Sequence, residues 1–93
     1  MRIKNITEDA IIFDNGSSIT YKNKDTYADF SQLDIIGRDY KYDTDLTFEL
    51  ESCGFAFGDE LGSRFFIPCY DITTGGYTDE INIYYNNVLV LSK

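Results

Sequence analysis

Carboxylates supply most of the chemistry this chain offers. Asp43, Asp45, Glu49 and Glu51 recur at even spacing in Asp43-Thr44-Asp45-Leu46-Thr47-Phe48-Glu49-Leu50-Glu51, with Leu46, Phe48 and Leu50 between them. A period of two is the repeat of a half-buried strand, so the three apolar side chains face a core and the four carboxylates form an outward row. Same-face neighbours on a strand lie about 6.6 Å apart, comparable to the spacing of successive phosphates along a nucleic-acid strand. A carboxylate row at that pitch can occupy Lys/Arg grooves built for DNA or RNA, with release of the same counterions. Like charges in line repel one another, and a basic partner surface relieves that repulsion.

Other chemistry is poorly supplied. There is no histidine, which removes Ser–His and Cys–His nucleophiles and ordinary zinc sites. Of the two cysteines, Cys69 is in phase with Phe65 and Ile67 and belongs to the core. With no export signal read at the N-terminus, Cys53 and Cys69 are expected as thiols. Asp43-Thr44-Asp45 lacks the glycine and glutamate of a calcium-binding loop. Gly54, Gly58 and the Gly75-Gly76 pair precede no helix, so no phosphate loop is predicted. The reading is of a protein without catalytic residues, metal or cofactor. Tyrosine gives contact area at low entropic expense, and Tyr40 and Tyr42 stand at the end of the acidic row. The predicted partner-binding residues are therefore Asp43, Asp45, Glu49, Glu51, Tyr40 and Tyr42, with Asp59, Glu60 and Tyr77 secondary. The alternative is a small-molecule-sequestering or oligomeric module using Tyr77, Arg64 and the Gly75-Gly76 loop. An anionic ligand there would need Arg64 and Arg38 to converge.

The charge is unevenly spread. The 93 residues hold 16 acids and 8 bases, a net of −8. Residues 25–60 hold ten of those acids against Arg38 and Lys41, so this segment alone carries a net of −8. Phosphates repel such a field and basic surfaces are drawn to it. Direct nucleic-acid binding is excluded on that ground, and a basic protein surface is the expected partner. No apolar run is long enough to span a membrane, and no signal peptide is read at the N-terminus. One domain, residues 1–93, is expected; its oligomeric state is left open, a dimer being one option.

The elements that must position these residues are mostly strands. Strands are predicted at 1–6, 10–14, 17–22, 44–51, 54–58, 64–70, 81–85 and 88–91. Asn15-Gly16 and Asn86-Asn87 mark tight hairpins, the first with both turn residues at positive φ. A short helix is predicted near 26–33, capped by Asp25, with Tyr27, Phe30 and Leu33 on one face. Arg64–Tyr70 is apolar on both faces and is expected to be the most buried strand, although Pro68 favours an edge or a bulge. The expected core is Ile3, Ile11, Phe13, Ile19, Phe30, Leu46, Phe48, Leu50, Phe55, Phe57, Phe65, Ile67, Ile83 and Val90. The fold class is mainly β: a small antiparallel sheet, β-roll or half-barrel of seven or eight short strands with one short helix.

The stretch Ile3-Lys4-Asn5-Ile6, Phe13-Asp14-Asn15-Gly16, Ile19-Thr20-Tyr21 and Tyr27-Ala28-Asp29-Phe30 resembles a family of small uncharacterised proteins of phages and mobile elements in low-GC Gram-positive bacteria. The later runs Gly54-Phe55-Ala56-Phe57-Gly58 and Phe65-Phe66-Ile67-Pro68-Cys69-Tyr70 are similar too. The resemblance covers most of the chain and rests on hairpin and core residues. It implies a fold and a setting, the cytoplasm of a bacterial host, but no activity. Lys22-Asn23-Lys24-Asp25-Thr26 stands where that family carries a polar, cysteine-containing loop, so no ligand role is carried over to it. Together with the acidic row, this setting points to an anti-defence inhibitor that binds a basic nucleic-acid-handling host protein by mimicry. A far-UV circular dichroism spectrum of β type is expected, and strong helical minima would overturn the strand reading.

Overall fold

Alternating apolar residues give each short segment one face to bury, and two sheets do so against each other. The computed structural model describes residues 2–32, 46–58 and 64–93. Its strands are β1 (Ile3–Ile6), β2 (Ala10–Phe13), β3 (Ser18–Tyr21), β4 (Thr26–Ala28), β5 (Thr47–Glu51), β6 (Gly54–Gly58), β7 (Arg64–Asp71), β8 (Ile83–Tyr85) and β9 (Val88–Leu91). One sheet has the order β1-β2-β3-β8-β9, the other β4-β7-β6-β5. Every strand pair is antiparallel. The protein is thus mainly β, as expected.

The predicted helix near 26–33 is not formed. Thr26–Ala28 is an edge strand paired with Cys69–Asp71, and only Phe30–Gln32 makes a 3₁₀ turn. Tyr27 and Phe30 do not share a face: Tyr27 is exposed, while Phe30 is buried in the core. A helix of two turns has little stability of its own, so ladder bonds to β7 decide the conformation. Asp29, rather than Asp25, caps the turn by accepting the Ser31 N–H. Leu33 lies outside the described residues.

The hairpins differ from each other. Asn86 and Asn87 have φ of 51° and 66°, the left-handed pair that a two-residue turn needs. At the first hairpin only Gly16 has positive φ. The Phe13 N–H donates to the Ser17 carbonyl and the Gly16 N–H to the Phe13 carbonyl. This is a three-residue loop in which one left-handed residue follows an ordinary turn.

The core is Ile3, Ile11, Phe13, Ile19, Ala28, Phe30, Phe55, Phe57, Ile67, Cys69, Ile81 and Ile83, with Leu46, Phe48, Leu50 and Phe65 half-buried against it. Val90, expected inside, is exposed. The register slips there: Ile83 opposes Leu91 but Tyr84 opposes Leu89, so Val90 is the extra residue of a bulge and Leu91 packs inward instead. Ile81 is buried just before β8 begins.

β7 sits between β4 and β6, and Pro68 fits there for a reason of parity. The Cys69 N–H donates to the Cys53 carbonyl, on the β6 side. Even-numbered backbone groups therefore face β4. Pro68 turns its nitrogen toward Asp29, whose N–H donates to the Pro68 carbonyl as the chain leaves β4. The missing donor takes nothing from the β6–β7 ladder.

Gly54 is the tightest point. Its φ is +156°, and a Cβ there would lie 2.1 Å from the Ile67 carbonyl oxygen and 2.9 Å from the Cys69 nitrogen. Both neighbours are backbone and cannot move aside alone. Gly54→Ala is expected to lose at least about 2 kcal/mol in denaturant unfolding. Gly75→Ala, also at positive φ but with nothing near its Cβ position, is expected to lose only about 1 kcal/mol. Equal losses would show that the close approach is unimportant.

Candidate partner-binding face

Strand parity sorts the second sheet into a buried face and an outer face. Phe55, Phe57, Ile67 and Cys69 point into the core. The alternate residues stand on the other side: Tyr27 on β4; Arg64, Phe66 and Tyr70 on β7; Gly54, Ala56 and Gly58 on β6; Thr47, Glu49 and Glu51 on β5. β7 was expected to be the most buried strand, yet on its outer face Pro68 is buried, Tyr70 half-buried, and Arg64 and Phe66 exposed. Phe66 is 43 % exposed.

Three tyrosines form a row across this face. The rings of Tyr27 and Tyr70 stack at 5.4 Å, and those of Tyr70 and Tyr77 lie 4.9 Å apart. Tyr27 is opposite Tyr70 in the β4–β7 ladder, and Tyr77 reaches Tyr70 through a bridge from the loop that follows β7. That loop is held by its own turn. The Asp71 N–H donates to the Gly76 carbonyl, and the Gly75 N–H to the Asp71 carbonyl. The Asp71 carboxylate accepts from the Thr73 hydroxyl and N–H, and these bonds hold its pKa below the ordinary aspartate value. Tyr27 and Tyr77 remain 39 % and 60 % exposed. The row is therefore pre-organised aromatic area facing outward, the kind of side chain enriched at protein interfaces.

Beside the rings the sheet is low. Gly54, Ala56 and Gly58 raise nothing above a methyl group along β6. Arg64 reaches across this strip to Glu49, 2.8 Å from its carboxylate. Both side chains are substantially exposed, so the pair adds about 0–1 kcal/mol at most. It does relieve the like-charge repulsion expected along the acidic row, because a cation of this chain already neutralises Glu49. Glu51 lies outward on the same edge strand.

Of the predicted site residues, Glu49, Glu51 and Tyr77 fall on or beside this face. Asp43, Asp45, Tyr40, Tyr42, Asp59 and Glu60 lie outside the described residues. Arg64 and Tyr77, considered for a ligand pocket, do not meet: Arg64 holds Glu49, whereas Tyr77 stacks on Tyr70. Tyr27, Tyr70 and Phe66 were not anticipated. For Phe66 and Tyr70 the signal is the two-faced apolar pattern of Arg64–Tyr70, which alternation alone reads as burial on both sides; Tyr27 has no such signal.

Cys69 is fully enclosed, and burial pushes its thiol up to about 12. Neither cysteine is in a disulfide. Among the described residues no group of three or more Cys, Asp or Glu side chains converges to hold a metal ion. No described helix is long and apolar enough to cross a membrane.

Comparisons with protein families, with curated proteins and with solved structures found no match to this chain.

The Cys69 thiol gives a signed pH dependence. Its pKa is raised in the fold from an ordinary 9.0 to about 12, so its contribution is complete below pH 9 and is lost as pH rises from 9 toward 12. The fold is expected to lose up to about 1.4 kcal/mol per pH unit from this group across that window. Denaturant midpoints of Cys69→Val should fall less steeply above pH 9 than those of the parent. Parallel curves would mean that the thiol is not the titrating group.

Proposed function

We propose that the chain is a non-enzymatic binding protein that docks a basic protein surface on the outer face of its second sheet. The observation that carries this reading is the Tyr27–Tyr70–Tyr77 row, with Phe66 exposed and the acids of β5 beside it. Aromatic anchors in a field of one sign suit a partner that brings apolar contact at the centre and Lys or Arg at the rim. The net charge of −8 steers such partners inward and turns acidic ones away. Proteins that handle nucleic acid carry surfaces of that sign, and blocking one of them in the cytoplasm of a bacterial host is the proposed role. A phage or mobile-element setting is part of the same proposal. The rings, more than a phosphate-like carboxylate row, are the proposed source of affinity, since Glu49 is already paired within the chain.

A second reading has its own observation. β9 is a sheet edge of sequence Val88-Leu89-Val90-Leu91, without a charge, and Val88 and Leu89 are exposed. The other edges carry Lys4 on β1, only three residues on β4, and Glu49 and Glu51 on β5. An apolar edge strand without a charge favours pairing between copies, which suits an oligomeric accessory module.

Immobilised protein in a lysate of a low-GC Gram-positive host is expected to retain basic nucleic-acid-binding proteins and release them in about 0.5 M salt. With a retained protein purified, Phe66→Ser with Tyr77→Ser should weaken affinity by about tenfold or more. Glu49→Gln with Glu51→Gln should mainly slow association. If both double variants bind as the parent does, the outer face is not the docking surface. Light scattering of the parent and of Leu89→Lys tests the second reading: a dimer lost in the variant would favour it.

A further inference from the structure

Two turns meet at one end of the first sheet, and their asparagines are held differently. The β2–β3 loop contains Asn15-Gly16-Ser17, and the β8–β9 turn is Asn86-Asn87. The Asn86 side-chain nitrogen donates to the Ser17 hydroxyl at 3.3 Å, and its oxygen accepts the Ser18 N–H at 2.9 Å. The Asn86 backbone N–H donates to the Ser18 carbonyl. We infer that Asn15 is a site of spontaneous modification in the folded protein, its amide being converted to isoaspartate and aspartate while Asn86 stays intact.

Residue types set the reaction. Asparagine is among the chemically labile side chains, and the backbone nitrogen of the next residue can attack its amide carbon. Asn15 is the one asparagine of six that is followed by glycine, so no side chain obstructs that nitrogen. Gly16 is exposed at a φ of +88°, and, apart from its chain neighbours, no described atom lies within 4 Å of where its Cβ would stand. The Asn15 Oδ1 accepts the Ser17 N–H at 2.9 Å. The ring that this bond closes contains the Gly16 nitrogen, so the side chain is folded back over the peptide that must attack it. The same N–H is placed to stabilise the negative charge that develops on Oδ1 during attack. Asn15 makes a further contact as well; the reaction depends on Cγ and on the Gly16 nitrogen, not on a free amide. The Gly16 N–H donates to the Phe13 carbonyl at 3.1 Å, near the long end of such bonds, and this bond opens as the nitrogen gives up its proton.

The step balances with water alone. Hydroxide takes the Gly16 amide proton, and the nitrogen attacks Cγ of Asn15. The N–Cγ bond forms, the Cγ–Nδ2 bond breaks, and ammonia leaves. The five-membered imide then takes up one water. Cleavage of its bond from nitrogen to Cγ gives aspartate, and cleavage of its bond from nitrogen to the main-chain carbonyl carbon gives isoaspartate. Either product adds one negative charge to a chain at −8. At Asn86 both amide atoms are engaged across to β3, and the next residue, Asn87, carries a side chain at a φ of 66°. Turning the Asn86 Cγ toward that nitrogen would break the clasp between the two turns.

The products differ in consequence. Isoaspartate puts one more carbon into the main chain of a loop that is closed by the bond from the Phe13 N–H to the Ser17 carbonyl. It therefore draws Ser17 away from Asn86 and loosens the clasp, whereas aspartate keeps an oxygen for the Ser17 N–H. The fold carries an age-dependent mark at the end of its first sheet, independent of any docking at the outer face.

The intact protein would be incubated at about pH 7 and about pH 8.5, sampled over time, digested and mapped by mass. The expected result is a gain of about 1 Da confined to the peptide that contains Asn15. It should divide between two products of distinct retention, one of them a substrate for an isoaspartate-specific methyltransferase. The rate should rise about tenfold or more between the two pH values, because the amide must lose a proton first. Amide NMR shifts of Ser17, Ser18 and Asn86 should move in the isoaspartyl fraction and stay close to those of the parent in Asn15→Asp. Asn15→Ser should abolish the gain. An unchanged mass at Asn15 under conditions that convert the free peptide acetyl-Phe-Asp-Asn-Gly-Ser-Ser-amide would overturn the inference. So would conversion of Asn86 as fast as that of Asn15, or a gain that persists in Asn15→Ser. Unchanged shifts in the isoaspartyl fraction would overturn the loosening of the clasp.

Discussion

The approach of Gly54 to the backbone of Ile67 and Cys69 underlies the whole second sheet. Only a residue without a Cβ lets β6 run this close beside β7, and the contact sets their register from Gly54–Pro68 to Gly58–Arg64. Register sets parity, because a slip of one residue would turn each side chain to the opposite face. With this register Phe55, Phe57, Ile67 and Cys69 complete the core. By the same parity Phe66 and Tyr70 must stand outside. The exposed aromatic face is thus a geometric consequence of how the core is filled. The small residues of β6 then leave the low strip that Arg64 crosses to reach Glu49.

The chain passes between the sheets twice, and the two passages are tied together. The Asn23 side chain accepts from the Asn82 N–H at 2.8 Å, and the Thr26 hydroxyl donates to the Glu80 carbonyl at 3.1 Å. These bonds fasten the link from β3 to β4 against the link from β7 to β8. They satisfy backbone groups that no ladder reaches, which is the usual requirement where a strand changes sheet. They also place β4 beside the end of β3. Tyr27 thereby joins the tyrosine row on one side and borders a cavity with Tyr21 on the other. One three-residue strand thus borders both the tyrosine row and the cavity.

Electrostatics and hydrophobicity are divided between the sheet edges. Acids on β5 keep that edge from pairing with other chains and also give the neighbouring face its sign. β9 carries no charge of its own, Val88 and Leu89 are exposed, and a bulge at Val90 interrupts its ladder. Charge repulsion between copies at a net of −8 opposes the association that β9 by itself invites. The balance between those two terms decides between a solitary binder and a self-pairing module.

Alternation and turn chemistry, both local, were legible in the sequence. The period-two runs located nearly every strand, the Asn86-Asn87 turn followed from residue type, and Glu49 and Glu51 pointed outward because Phe48 and Leu50 had to point in. The net charge of −8 was likewise a matter of counting. What tertiary structure decided was whatever depends on which strands become neighbours. Thr26–Ala28 reads as part of a helical turn until β7 is beside it to take its backbone bonds. Val90 reads as core until a bulge in the β8–β9 ladder shifts it out. Arg64–Tyr70 reads as buried on both faces, because apolar alternation cannot say whether a second layer covers the far side. Tyr27, Tyr70 and Tyr77 lie far apart in sequence, and only the pairing of β4, β7 and the following loop stacks them. Each of these is a contact between segments distant in the chain, and local pattern carries no term for that energy.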